Sequence, residues 1–232
     1  MKSFREIFSE RANRIVALSQ ISQIALEGLG QISKNSESPF APMFKKMAAH
    51  IPEGHQNHPD INIPEFRVVS FLDGLTLIAT ISEVEAYFQD LIVAVLLKHP
   101  EKAGKTSFDL KILLELSSID DVKMLAAERF ASDMLFKRPN DYKKDLMTVL
   151  SADEALFKKT WPIFVEAKCR RDLGVHNGWV VNDIYRSKVR EVGVVPTTED
   201  FLSIDHEYLH SVREGCVDLM IALANHCKNK FR

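Results

Sequence analysis

Three sets of residues in this chain have the types and spacing that could carry chemistry. The first is His206-Glu-Tyr-Leu-His210, an H-E-x-x-H pattern. On a helix, His206 and His210 fall one turn apart on one face and could both ligate zinc, with Glu207 as general base for a bound water. A zinc peptidase also needs a third ligand, and the chain runs on as SVREGC with no x-x-G-x-x-H continuation. Glu214 and Asp218 lie further along the same helix and cannot converge on that metal without a break. The plainer reading is two surface histidines beside an apolar stripe of Leu202, Leu209, Val212, Cys216, Leu219 and Leu223. The second set is His50, His55 and His58 in a proline-rich stretch. Without cysteine or carboxylate partners at finger-like spacing, these histidines read as incidental.

The third set is CRRDLGVHNGWVVNDIYR, Cys169 to Arg186. Arg171 and His176 are five residues apart, about 140° around an ideal helix, so they flank a groove. Asp172 stands one turn before His176, where it could fix the imidazole tautomer. Lys168, Arg170, Arg186, Lys188 and Arg190 place positive charge around the motif. This is a setting for phosphodiester chemistry. A histidine moves protons on and off ribose oxygens, and a guanidinium holds the charge that builds on the phosphoryl oxygens. The 2′-hydroxyl of RNA can serve as the nucleophile, so the reading calls for no metal and no cofactor. The plainer reading is an Arg171–Asp172 ion pair at a helix end, followed by a His-Asn-Gly terminus.

The elements that must position these residues read as helical throughout. Apolar residues recur at helical spacing from Ser3 to about Ser33 and from Val68 to Lys98. The second stretch has a stripe wide enough for a central helix, built on Leu72, Leu75, Ile78, Ile81, Val84, Phe88, Leu91 and Val95. His99-Pro100 ends it. Between the two, five prolines break the periodicity over 34–66, leaving a long loop with at most a short helix near 43–49. Shorter helices are expected at about 107–117, 120–137 and 140–150, opened by caps such as Ser107 and Asp120. Others run from Trp161-Pro162 to about Val175 and over Val180–Arg190. A long final helix is expected from Glu199 to Lys228, with Thr198 as its cap. No stretch alternates with period two, so the chain is all-α.

The 232 residues hold 30 basic and 32 acidic side chains, for a formal charge of −2, which excludes a broad nucleic-acid-coating surface. With 46% apolar and 27% charged residues and no low complexity, the chain is neither disordered nor fibrous. Cys169, Cys216 and Cys227 form no C-x-x-C and read as reduced thiols. The longest strongly apolar run, Leu91–Leu97, is far short of the roughly 20 residues that span a bilayer. The charged start MKSFREIFSERANR has no apolar h-region. A soluble, cytoplasmic protein is expected, without a membrane partner.

RRDLGVHNGWV resembles the signature of HEPN domains, in which R-[polar]-x3–5-H marks a metal-independent endoribonuclease centre. SEVEAYFQDLIVAVLLKHPEK, Ser82–Lys102, is similar to a HEPN core helix of the abortive-infection and toxin-associated subgroup, an E-x-[aromatic]-[aromatic] helix ending at a proline. FDLKILLELSS followed by a D-D-V helix resembles its short middle helices. The similarity covers about 68–228. The resemblance implies a HEPN-like helical bundle over 67–232, with an added N-terminal helix and Pro/His-rich loop over 1–66. It also implies a homodimer that brings two R-x4-H motifs around one cleft. Active members cut RNA as toxins or antiviral effectors, so a protein antitoxin or defence-system partner is expected; others are non-catalytic RNA- or protein-binding modules. Carried onto this chain, Arg171 and His176 match the motif pair, Asp172 its polar position and Glu85 the first-helix acid. Asn177 follows the histidine, as it often does in the family.

Overall fold

The computed structural model describes residues 2–34, 65–103 and 107–231, with the side chains of 26–34 and 65–71 left aside. His50, His55, His58 and the short helix expected at 43–49 lie outside these residues. Eight α-helices make up the described chain: α1 Phe4–Lys34, α2 Glu65–Lys98, α3 Leu110–Glu115, α4 Ile119–Leu135, α5 Pro139–Leu150, α6 Trp161–Asn177, α7 Asp183–Glu191 and α8 His206–Lys230. The described residues form no strand beyond one isolated antiparallel bridge, Val180 to Phe201, so the fold is all-α.

Local chemistry sets the helix ends. Ser3 and Glu6 form a reciprocal capping box: the Glu6 side chain accepts from Ser3 N at 2.7 Å and Ser3 Oγ accepts from Glu6 N at 3.3 Å. Asp109 and Ser118 cap α3 and α4, in place of the expected Ser107 and Asp120. Pro139 and Pro162 open α5 and α6, where a missing N–H costs no helical bond. Gly178, in the left-handed region at φ 55°, ends α6. The last helix starts seven residues later than expected, with Asp205 as its cap and not Thr198. Residues 200–202 are instead drawn into pairing with the chain after α6. Val181 N donates to Asp200 O at 2.9 Å and Leu202 N to Trp179 O at 3.0 Å.

α2 is the axis of the bundle and packs on α1, α4, α5, α6 and α8. Ile81, Val84, Tyr87, Phe88, Leu91, Ile92 and Val95 are fully buried on one face, an arc of about 140° that is the wide apolar stripe. The stripe fails at its first turns, where Leu75 is 46% exposed. Phe88 meets Phe164 edge-on at 5.0 Å between ring centroids, and Tyr142 meets Trp161 at 5.4 Å, tying α2, α5 and α6 into one aromatic core. α1 buries Phe4, Ile7 and Ile15 in the same core. Arg11 clamps it to α2 through Glu83 at 2.9 Å and Asp90 at 2.8 Å. No described helix is long and apolar enough to cross a membrane.

Candidate active site

α6 presents Lys168, Asp172 and His176 along one ridge at four-residue steps, with Arg171 beside them. They border a cleft of about 480 Å³, which α2 closes with Glu85, α7 with Lys188, and the end of α4 with Leu135 and Phe136. Of the residues singled out from sequence, Glu85, Lys168, Arg171, Asp172, His176, Asn177 and Lys188 all reach this one cleft.

The cleft floor is an ionic cluster. The Glu85 carboxylate bridges two cations, accepting from Lys168 Nζ on one oxygen and from Arg171 Nη2 on the other. Glu85 is only 12% exposed and both cations 16%, so these are charge-assisted bonds in a mostly water-excluded place. Arg171 Nη1 lies 3.4 Å from Asp172 Oδ1, and its buried Nε has no partner among the described residues. Asp172 therefore faces the guanidinium and makes no hydrogen bond to His176. Three cations face two carboxylates, which leaves the cleft an excess positive charge at its rim, where Lys188 and the exposed His176 stand.

Asn177 holds the turn that ends α6, donating from Nδ2 to Val180 O at 2.7 Å. Arg170, its neighbour in sequence to the motif arginine, points away from the cleft. It pairs with Glu166, stacks 4.1 Å above the Tyr208 ring and reaches Ser203 O at 3.3 Å. Tyr185 and Tyr208 donate to the two oxygens of the same Glu166 at 2.8 and 2.7 Å. Burial first, and then the Glu166 charge, push both phenols above their ordinary range. This cluster locks α6 to α7 and α8, and sequence reading missed it. Arg186 turns to Glu199 O at 3.4 Å and to Asp183 and Asp200 at 4.0 Å. Arg190 is exposed on α7 and does not line the cleft.

A second unforeseen feature braces the motif. Trp179, at φ 68°, is a non-glycine residue in the left-handed region. Its indole fills a notch between Gly74 on α2 and Gly174 on α6, where an added Cβ would lie 2.7 and 2.4 Å from the ring. The available signal was a mid-helix glycine on each side, Gly74 and Gly174, with no local reason for either. The wedge fixes the His176 end of α6 against α2.

The other candidates lie apart. His206 opens α8 and His210 Nδ1 sits 3.5 Å from Glu214 Oε2. Among the described residues no three His, Cys, Asp or Glu side chains are grouped to hold a metal ion. Cys169 touches the cleft, but burial pushes its thiol up to about 12, so it is no nucleophile at neutral pH. No family model, curated protein or solved structure matches this chain.

Proposed function

We propose that this protein is a metal-independent endoribonuclease of the HEPN type. The observation that carries the reading is the meeting of Glu85, Arg171 and His176, from two helices, in one positively rimmed cleft. His176 takes the proton from a ribose 2′-hydroxyl, and the 2′-oxygen attacks the adjacent phosphorus. The phosphorus–5′-oxygen bond breaks, the 5′-oxygen leaves with the proton that the His176 imidazolium gives back, and a 2′,3′-cyclic phosphate remains. Arg171 holds the charge that develops on the phosphoryl oxygens. Glu85 and Asp172 act as positioning residues that aim the guanidinium, Asn177 fixes the turn behind His176, and Lys168 and Lys188 attract the backbone. The resemblance extends the proposal to a homodimer in a defence or toxin–antitoxin setting. Exposed Val175, Val180 and Ile184 near the motif are apolar surface that a second copy can cover.

Mixed RNA incubated with the protein in EDTA tests the chemistry. Cutting that persists in EDTA, leaves cyclic phosphate ends and falls about 100-fold or more in His176→Ala is the expected result. RNA left intact at high protein concentration overturns the reading. It would favour a non-catalytic binding module, which the engagement of Arg171 by two carboxylates also fits.

A further inference from the structure

The lip of the cleft carries an aromatic ring that the folded chain does not use. Phe136, the C-cap of α4, lines the cleft and is 89% exposed. Leaving a phenyl group in water forgoes the stabilisation that burial of a large apolar side chain brings, about 1.5–3 kcal/mol. Nor does the ring hang from a loose loop. The next residue, Lys137, pairs with Asp145, and Arg138 pairs with Glu191 and donates to Ser187 Oγ at 3.0 Å, so the turn is tied to both α5 and α7. Pro139 then opens α5. The ring is thus displayed from a fixed position, beside a cleft whose cations include Lys168, Arg171 and Lys188.

A flat π-face next to backbone-binding cations is the arrangement that holds single-stranded nucleic acid, because every base has a face to stack and the cations take the phosphates. We infer that Phe136 is the stacking platform for an unpaired nucleobase of the RNA that enters the cleft. In a duplex both faces of a base are already stacked within the helix, and only splayed or unpaired bases can meet an aromatic side chain. The inference rests on the reading of the cleft as an RNA site and adds the residue that seats a base there.

The test uses the full chain and oligoribonucleotides carrying 2-aminopurine, whose fluorescence is quenched on stacking. Binding is measured in a His176→Ala background to prevent cutting. Phe136→Ala is expected to weaken single-strand binding about 5- to 100-fold and abolish the quench, while Phe136→Trp retains both. The thermal midpoint of Phe136→Ala should not move, since the ring is exposed. A fully paired duplex of the same sequence is expected to bind no better than the single strand binds to Phe136→Ala. Equal single-strand binding by wild type and Phe136→Ala overturns the inference, and so does equally tight duplex binding. Should light scattering show that Phe136→Ala dissociates a dimer, the ring belongs to an interface between copies and the inference falls. Binding with quench but no cutting by the wild type overturns the ribonuclease reading and leaves this one standing. Absence of binding to either RNA overturns both.

Discussion

The Arg171 guanidinium and the Glu85 carboxylate, 86 positions apart in sequence, pair on the floor of the cleft, and Lys168 takes the other carboxylate oxygen. Removing Glu85 leaves two cations side by side where water has little access. Breaking a buried pair in this way costs about 3–5 kcal/mol. Glu85→Ala should therefore lower the urea-unfolding free energy by an amount near the bottom of that range, since all three groups keep some exposure. Adding Lys168→Ala to it should recover part of the loss by removing one orphaned cation. A Glu85→Ala variant as stable as wild type would show that the bridge contributes nothing.

Gly174→Ala sets two effects against each other. In a helix interior alanine is better than glycine by about 1 kcal/mol. Here the new methyl would stand 2.4 Å from the Trp179 ring, closer than real contacts allow, so the clash wins. A net loss of about 1–3 kcal/mol is expected. Trp179→Ala in the same chain should relieve the clash, making the double variant less unstable than the sum of the singles. Strict additivity would argue against the wedge.

Asp73 on α2 is 2% exposed, with Oδ1 unpartnered among the described residues. Burial raises its carboxyl above the ordinary 3.8; His206 opposes this and Asp205 reinforces it. The folded state therefore holds the proton more tightly than the unfolded chain does. Stability contributed by this group is present below 3.8 and is lost as pH rises through the raised folded value. Asp73→Asn should remove that decline, so its advantage over wild type grows in urea titrations as pH rises above the ordinary carboxylate value. An Asn variant that loses ground as pH rises would contradict the assignment.

The three thiols offer a check on the core. Cys169, Cys216 and Cys227 are buried, and burial pushes each up to about 12. Buried and held in the thiol form, they should be labelled negligibly by a thiol-specific reagent in the folded protein and at all three sites after denaturation. Rapid labelling without denaturant would show the core to be open.

Periodicity along α1 and α2 was enough to place both helices within a few residues of their ends, because their apolar residues repeat over many turns and a proline closes the second. Caps were less legible. Ser107 and Asp109, or Ser118 and Asp120, are equally good capping types, and only backbone geometry chooses between them. The start of α8 was misplaced because residues 200–202 pair with 179–181, a contact between distant segments that local spacing does not reveal. The site followed the same division. Glu85, Lys168, Arg171, Asp172, His176 and Lys188 border one cleft. The diversion of Arg170 into the Glu166–Tyr185–Tyr208 cluster, and the presence of Phe136 on the lip, depend on how α4, α7 and α8 pack.

The Trp179 wedge also gives the protein an optical gauge of its own cleft. The chain has two tryptophans. Trp161 is sealed among Phe88, Tyr142, Phe157 and Phe164, where its emission reports on global unfolding. Trp179 lies three residues past His176 and is only partly covered, so its emission senses the geometry of the α6 terminus. With Trp161 replaced by phenylalanine, the remaining indole becomes a label-free signal for whatever enters beside His176, read in real time without modifying a residue of the cleft.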